Sequence, residues 1–128
     1  MRVRLAAPLL ALAFVSPAAS ALPFKAVLKT PPAQPRVNVK WYYTVRVTDR
    51  ARHLIRATIT AQIVDPFTGA HPVQYDATKK NIVNRPFRGV FRDYLTFPRE
   101  SRGFTLRLRI TVRAKGAKTV LERKVRPR

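Results

Sequence analysis

The feature that most constrains the fold is a strict alternation of apolar and polar residues between positions 37 and 47. Every second residue there is apolar, and all are β-branched or aromatic: Val37, Val39, Trp41, Tyr43, Val45 and Val47. A helix would distribute these residues around its circumference, whereas an extended strand places them all on one face. The segment therefore predicts a strand with one face in a core and the other in water, and Trp41 as the largest residue of that core.

Two further segments repeat this period of two. Their apolar positions are Ile55, Ala57, Ile59, Ala61 and Ile63 in the first, and Phe104, Leu106, Leu108, Ile110 and Val112 in the second. A turn at Asp65–Gly69 ends the first, since proline fixes φ there and glycine supplies a positive φ. The second is followed by a hairpin loop at Lys115–Ala117 and a partner strand over 119–126.

The remaining segments have weaker patterns. Residues 72–76 predict a short strand, and 82–97 predict two short strands or one bulged strand, because Pro86, Gly89 and Pro98 interrupt the alternation. No segment has the period of a helix. The sequence therefore predicts an all-β chain, an antiparallel β-sandwich of about seven strands. We expect residues 22–36 to hold an N-terminal strand and a Pro-rich crossing, 37–128 the sandwich core, and 22–128 a single domain.

The first 21 residues have the pattern of a signal peptide. Arg2 and Arg4 precede an apolar run over 5–15, and small residues follow up to Ala21. The run is about half the roughly 20 residues that a membrane span needs. A cleavable signal ending near Ala21 predicts a secreted or extracytoplasmic protein of the cell envelope. The alternatives are a retained N-terminal anchor or an apolar first strand.

Charge is the most unusual aspect of the composition. The chain has 26 Lys and Arg against 6 Asp and Glu, a formal net charge of +20, and it has no cysteine. The absence of cysteine excludes disulfides, a thiolate nucleophile and Cys-based zinc sites. The positive charge has two interpretations, either attraction to an anionic polymer or a solvated surface that keeps the protein soluble.

The alternating run Pro35–Val45 and the strand Gly103–Val112 with its closing hairpin carry a resemblance. The chain resembles immunoglobulin-like and fibronectin type III-like domains of bacterial surface proteins, and also small uncharacterised secreted proteins of actinobacteria. Trp41 on the second strand suits the type III family better. The resemblance implies a non-catalytic adhesion, spacer or binding module, although a shared fold does not determine function.

Residues for catalysis are scarce. The two histidines are His53 and His71, and the six acidic residues lie far apart in the sequence. His71 with Asp65 and Asp76 is the one conceivable constellation, but a histidine beside a turn is more often solvated. No spacing indicates paired carboxylates, a phosphate loop or a metal site. We expect no enzyme, no cofactor and no metal.

Basic residues form the candidate site. Arg107, Arg109 and Arg113 share the outward face of one predicted strand, and Lys40, Arg46 and Arg56 occupy matching positions on two others. If these strands share a sheet, the result is one basic face. If they lie in different sheets, the charge is divided between two faces.

A second group interleaves with aromatic residues: Arg85, Arg88 and Arg92 alternate with Phe87 and Phe91. Binders of single-stranded nucleic acid stack bases on such rings. Alternatively, the two phenylalanines pack in the core.

These residues lead to two functional hypotheses. The first is a binding or scaffold module for an unknown protein or envelope component. The second is a cationic binder of an anionic polymer, such as teichoic acid, lipopolysaccharide, nucleic acid or acidic glycan, through the basic residues.

Overall fold

Residues 22–128, the part of the chain that this computed structural model describes, form eight antiparallel strands, and the three alternating segments supply three of the longest, all of which contribute to the core. The strands are β1 (Phe24–Lys29), β2 (Lys40–Asp49), β3 (Arg56–Asp65), β4 (Gly69–Pro72), β5 (Arg85–Arg88), β6 (Val90–Thr96), β7 (Leu106–Ala114) and β8 (Ala117–Val125). A short 3-10 turn covers Arg99–Ser101. The all-β prediction is confirmed. The predicted signal peptide lies outside the described residues. No helix within 22–128 is long and apolar enough to cross a membrane.

The strands are divided between two sheets. The first has the order β1-β2-β6, and the second has the order β4-β3-β7-β8 with β5 also paired to β3. Because β7 pairs with one edge of β3, β4 and β5 share the other edge, β4 beside 62–65 and β5 beside 56–59. The result is a β-sandwich of a three-stranded and a five-stranded sheet.

The core lies between the sheets and consists of the apolar positions of the alternating strands. Buried core residues come from β2, β3, β6 and β7, and form one cluster: Trp41, Tyr43, Val45, Val47, Ala57, Ile59, Ala61, Phe91, Leu106, Leu108, Ile110 and Val112 are among them. Burying such side chains stabilises the fold by about 1.5–3 kcal/mol each for the larger ones. Trp41 is buried, as expected, and its indole Nε1 donates a hydrogen bond to the carbonyl of Pro32 at 3.0 Å.

Three predicted strands have different bounds in the structure. The strand predicted from Val37 begins at Lys40, because Asn38 has a positive φ of 61° and Val39 is left exposed. The strand predicted from Phe104 begins at Leu106, and Phe104 is also exposed. In both places an apolar residue continues the period in the sequence although the backbone has left the sheet. The short strand predicted over 72–76 corresponds to β4, which lies a few residues earlier in the chain, at Gly69–Pro72.

The Pro-rich crossing is held by the C-terminal residues. The amides of Arg126 and Arg128 donate hydrogen bonds to the carbonyls of Ala33 and Pro35, each at 2.9 Å. Pro127 between them is fully buried. These contacts satisfy backbone groups of a segment whose prolines exclude it from a regular sheet.

Gly89 is where the chain crosses from the five-stranded to the three-stranded sheet. It has a φ of +73° and separates β5 from β6, so the two-strand alternative for 82–97 is confirmed. Its amide donates to the carbonyl of Ile55 at 2.8 Å, and its carbonyl accepts from the amide of Val47 at 2.7 Å. A Cβ at this position would lie 2.7 Å from Cβ of Leu54.

We expect Gly89→Ala to lower the free energy of unfolding by about 2–4 kcal/mol, because it adds overpacking against Leu54 to the strain of a positive φ. Gly116→Ala is the matched control, since Gly116 has a φ of +74° but no neighbour within 4 Å of an added Cβ. The control should lose only about 1 kcal/mol. Urea unfolding of both variants measures the difference, and equal losses would show that the contact with Leu54 is unimportant.

One acidic residue points into the sandwich. Asp93 is 5% exposed and lies opposite Tyr43 across β6 and β2. Asp93 Oδ2 and the Tyr43 hydroxyl have no hydrogen-bond partner among the described residues. Burial raises the pKa of Asp93 and that of Tyr43. A raised carboxyl pKa means that the folded chain holds this proton more tightly than the unfolded chain, so this group favours folding less as pH rises through its folded pKa.

Replacing Asp93 by Asn should therefore stabilise the protein at neutral pH, by on the order of 1 kcal/mol, because it removes a buried charge whose Oδ2 has no hydrogen-bond partner among the described residues. The gain should disappear at low pH, where the carboxyl is protonated in both states. Asp76→Asn should behave oppositely, because hydrogen bonds from Tyr94 and Lys79 lower the pKa of Asp76. Thermal unfolding of the two variants between acid and neutral pH tests this, and a destabilised Asp93→Asn at neutral pH would contradict it.

Candidate anion-binding surface

The structure divides the predicted basic residues between the outer faces of the two sheets. Arg56, Arg107, Arg109 and Arg113 lie on β3 and β7 of the five-stranded sheet, with Arg88 on β5 beside them. Lys40, Arg46 and Arg92 lie on β2 and β6 of the three-stranded sheet. The single basic face that all of these strands would form in one sheet is therefore absent from the described residues. The charge has two separate locations.

Three arginines converge at one end of the five-stranded sheet, and we call them the arginine corner: Arg56, Arg88 and Arg113. Arg56 lies directly opposite Arg88 in the β3–β5 pair, and Arg113 lies opposite Thr58 in the β3–β7 pair. The three side chains line a shallow groove of about 530 Å³ together with Ala57, Thr58, Pro86 and Phe87. Like charges directly opposite each other on a sheet repel, so this pairing is unfavourable without an anion.

The positive charge of the arginine corner is not neutralised by any carboxylate among the described residues. No carboxylate oxygen in 22–128 lies within 4.0 Å of Arg56, Arg88 or Arg113. Arg109 differs, because its Nε contacts Glu122 Oε2 at 2.7 Å. Of the three arginines predicted along β7, Arg109 is therefore neutralised by a carboxylate, whereas Arg107 and Arg113 are exposed cations without such a partner among the described residues.

Two lysines of this face were not predicted from the sequence. Lys118 lies opposite Arg113 and Lys124 lies opposite Arg107 in the β7–β8 pair. Both are exposed and extend the positive charge across the sheet. Their phase in the last strand was ambiguous from the sequence, and only the register of the hairpin assigns them to the outer face.

The outer face of the three-stranded sheet combines cations with tyrosines. Lys40 Nζ lies 4.8 Å from the ring centre of Tyr94, and the Arg92 guanidinium lies 4.6 Å from that of Tyr42. The two rings are 5.5 Å apart. The Tyr94 hydroxyl donates to Asp76 Oδ1 at 2.6 Å. Lys40 and Arg92 therefore already have an aromatic partner, and the Asp76 carboxylate lies beside the Tyr94 hydroxyl at the edge of this face.

The interleaved segment 85–92 is not a stacking platform. Phe91 is buried and its ring centre lies 5.8 Å from that of Phe87, which packs against the core. Arg85 lies over the ring of Tyr75, with 4.2 Å between guanidinium carbon and ring centre. The core-packing alternative therefore describes both phenylalanines, and Arg88 alone of this segment joins the arginine corner.

His71 and Asp65 come together, as the sequence suggested, but Asp76 does not join them. His71 Nε2 lies 3.0 Å from Asp65 Oδ2, and the Thr68 hydroxyl contacts both. Hydrogen bonds from the Thr68 hydroxyl and the amides of Thr68 and Phe67 lower the pKa of Asp65 to about 2. In a catalytic triad the acid and the hydroxyl bond opposite imidazole nitrogens, whereas here both approach Nε2. This geometry stabilises the turn and lacks a path for relaying a proton.

No group of three or more His, Asp or Glu side chains within residues 22–128 has a geometry that could hold a metal ion. Three of the described acids instead have local partners: Asp49 contacts His53, Asp76 contacts Lys79, and Asp65 accepts a hydrogen bond from the amide of Phe67.

Comparisons with known proteins give a structural similarity but no family. No family model matches the chain. No curated protein matches it either, so the resemblance to actinobacterial secreted proteins has no support from these comparisons. Among solved structures, the chain is similar to a DUF4466 family protein from Parabacteroides merdae ATCC 43184, with 15% identity and a TM-score of 0.44. The match covers 82% of this chain and 44% of that one, so the chain spans less than half of that protein's length.

Repulsion at the arginine corner can be measured through stability. Arg88→Gln should raise the melting temperature at low salt, because it removes the charge opposite Arg56, and the gain should shrink at high salt as screening increases. Arg102→Gln removes the same charge from the loop before β7 and is the control. A melting temperature of Arg88→Gln that matches the control at every salt concentration would show that the pair does not repel.

Proposed function

We propose that this chain is a non-catalytic binding module of the cell envelope or extracellular space, and that it binds an anionic polymer at the arginine corner. The observation that carries the proposal is the convergence of Arg56, Arg88 and Arg113 without a carboxylate among the described residues nearby. The fold, the electrostatics and the sequence of the first 21 residues support different parts of it.

Strand order supports an immunoglobulin-like or fibronectin type III-like module. In immunoglobulin-type sandwiches the first, second and fifth strands share one sheet, and the third, sixth and seventh share the other. If β5 is counted as an addition at the edge of β3, then β1-β2-β6 and β3-β7-β8 follow this order. β4 follows the third strand and stays in its sheet, which is the variation we associate with the type III family. Modules of this type commonly bind through their surfaces without catalysis.

The chemistry of the arginine corner favours phosphate, sulfate or carboxylate groups. Each guanidinium presents planar paired donors that match such an oxyanion with two parallel hydrogen bonds. Lys118 and Lys124 continue the positive charge across β8. A polymer with regularly spaced anionic groups can therefore contact several of these cations at once. Teichoic acid, lipopolysaccharide, acidic glycan and extracellular nucleic acid share this chemistry.

The five-stranded face suits this role better than the three-stranded face. On the latter, Lys40 and Arg92 lie against tyrosine rings, and Asp76 sits beside Tyr94. An anion there would compete with contacts that already stabilise the cations. At the arginine corner, an anion would relieve repulsion between cross-strand neighbours, which adds to the free energy of binding.

Export is the second part of the proposal, and it rests on the signal-like pattern of residues 1–21. Such a segment directs a chain out of the cytoplasm and is removed after small residues. Expression of the full chain in a secreting bacterium, followed by mass spectrometry of the secreted product, should give an N-terminus at or near Leu22. An intact N-terminus in the cytoplasmic fraction would contradict export.

Replacing the three arginines of the corner by glutamine should weaken binding to an anionic polymer by about tenfold or more, since a charge-assisted hydrogen bond contributes roughly 1.5–3 kcal/mol. The control is the triple variant Lys40→Gln, Arg46→Gln and Arg92→Gln, which removes the same charge from the opposite face. It should lose much less. Fluorescence titration of residues 22–128 with labelled heparin, polyphosphate and DNA measures both, in low, physiological and high salt.

Salt dependence distinguishes a site from non-specific attraction. A nucleic-acid complex releases about 0.9 counterions per contacted phosphate, so the corner variant should also show a shallower dependence of log K on log salt. Equal losses in both triple variants would mean that net charge alone attracts the polymer, and the arginine corner would not be the site. Binding to a protein partner with an apolar interface would instead depend weakly on salt.

A further inference from the structure

Two exposed phenylalanines meet at the opposite end of the sandwich from the arginine corner. Phe67 is 76% exposed and Phe104 is 43% exposed, and their ring centres lie 5.5 Å apart in an edge-to-face arrangement. Leaving such side chains in water forgoes about 1.5–3 kcal/mol for each that could be buried. Phe67 belongs to the β3–β4 turn and Phe104 precedes β7, so two separate segments bring these rings together.

The rings border a cavity of about 420 Å³ between the ends of the two sheets. We call it the apolar pocket; its apolar lining residues are Ile63, Pro66, Phe67, Leu95, Phe97, Pro98, Phe104 and Leu106. Its volume lies in the range of sites for small molecules. The distance along β3 from Arg56 to Ile63 is about 23 Å at roughly 3.3 Å per residue, so the apolar pocket and the arginine corner are separate sites.

The charged residues that line the apolar pocket are acidic, whereas the net charge of the chain is positive. No lysine or arginine lines the apolar pocket, whereas Asp65 and Glu100 both do. The whole chain has only 6 acidic residues against 26 basic ones. Asp65 is held ionised by three hydrogen bonds within its turn, and its Oδ2 also lies 3.0 Å from His71 Nε2. Glu100 lies in the exposed 3-10 turn and forms no ion pair among the described residues.

We propose that the apolar pocket binds a small organic cation with an aromatic body. The body packs against Phe67 and Phe104, and the cationic group lies beside Glu100 and Asp65. The aromatic rings favour this occupant twice, because they supply apolar surface and because their faces attract cations. A purely polar ligand lacks the apolar contact, and an anionic ligand lacks the electrostatic one. The site is independent of the polymer site proposed above.

Trp41 reports on the occupancy of this pocket. It is the only tryptophan of the chain, and its ring lies edge-on to Phe97 with 5.8 Å between centres. Phe97 lines the apolar pocket. A ligand that displaces water from the pocket or shifts Phe97 therefore changes the environment of a single fluorophore.

The test uses three probes of similar size: 2-phenylethylamine as the cation, 2-phenylethanol as the neutral form and 3-phenylpropanoate as the anion. We expect the amine to bind with a dissociation constant on the order of 1 mM, the alcohol more weakly and the anion weakest. Titrations of residues 22–128 are followed by tryptophan fluorescence and by amide shifts in NMR spectra. The largest shifts should occur at Phe67, Thr68, Ser101 and Phe104.

Two variants separate the roles of packing and charge. Phe67→Ala should weaken binding of the amine and the alcohol alike, by several-fold, because both lose the same contact. Glu100→Gln should weaken binding of the amine and leave the alcohol unchanged. Two substitutions in β8 are the matched controls. Val120→Ala removes an exposed apolar side chain and Glu122→Gln removes a carboxylate, and neither should change the binding of the amine or of the alcohol. Phe67 and Glu100 are exposed, so these variants keep the fold, which the melting temperature verifies.

Equal affinity for the amine and the alcohol would overturn the proposal, as would amide shifts that cluster outside the pocket. Binding of a basic, aromatic peptide by wild type without binding of the amine would also overturn it, since the pocket would then be part of a protein interface. Loss of polymer binding in the arginine-corner variants has no bearing on this result, so the two proposals fail separately.

Discussion

The fold depends on contact between the apolar faces of two sheets. The chain has no cysteine, so no disulfide joins them, and the described residues are held together by one continuous cluster of buried side chains. Trp41 extends this cluster to the Pro-rich crossing through its hydrogen bond to Pro32. Because both inner faces are committed to this contact, almost all of the charge of the described residues is placed on the outer faces and loops. The two candidate sites are consequences of that division.

Local patterns in the sequence predicted the all-β class and the longest strands, but not the bounds of every strand. Alternation predicted β2, β3 and β7. The hairpin loop predicted at Lys115–Ala117 joins β7 to β8, and the structure gives Lys115 and Gly116 positive φ values. What alternation lacks is a marker of where a strand starts. Val39 and Phe104 continue the apolar period but lie outside the sheet, because a turn residue or a loop has already redirected the backbone.

The candidate sites were harder to predict, because they depend on which strands are neighbours. Lys40 and Arg56 have the same outward phase in the sequence, yet they lie on opposite faces of the sandwich. The arginine corner exists because β5 pairs with one end of β3, and that contact joins residues far apart in the chain. The ion pair of Glu122 with Arg109 also depends on strand pairing, because the register of the β7–β8 hairpin places these two residues opposite each other. The apolar pocket has no signal in the sequence beyond two phenylalanines near turns.

Gly89 has a consequence for recognition as well as for stability. Its amide donates to Ile55, which directly precedes β3, and its carbonyl accepts from Val47 in β2, so it is hydrogen-bonded to both sheets. Arg88 is its immediate neighbour in the chain. The backbone of Arg88 is therefore restrained on one side by its strand pairing and on the other by this crossing. When Arg88 meets a ligand, its side chain must still be ordered, but its backbone need not be. The backbone share of the entropic cost of binding at that part of the arginine corner has thus been met during folding.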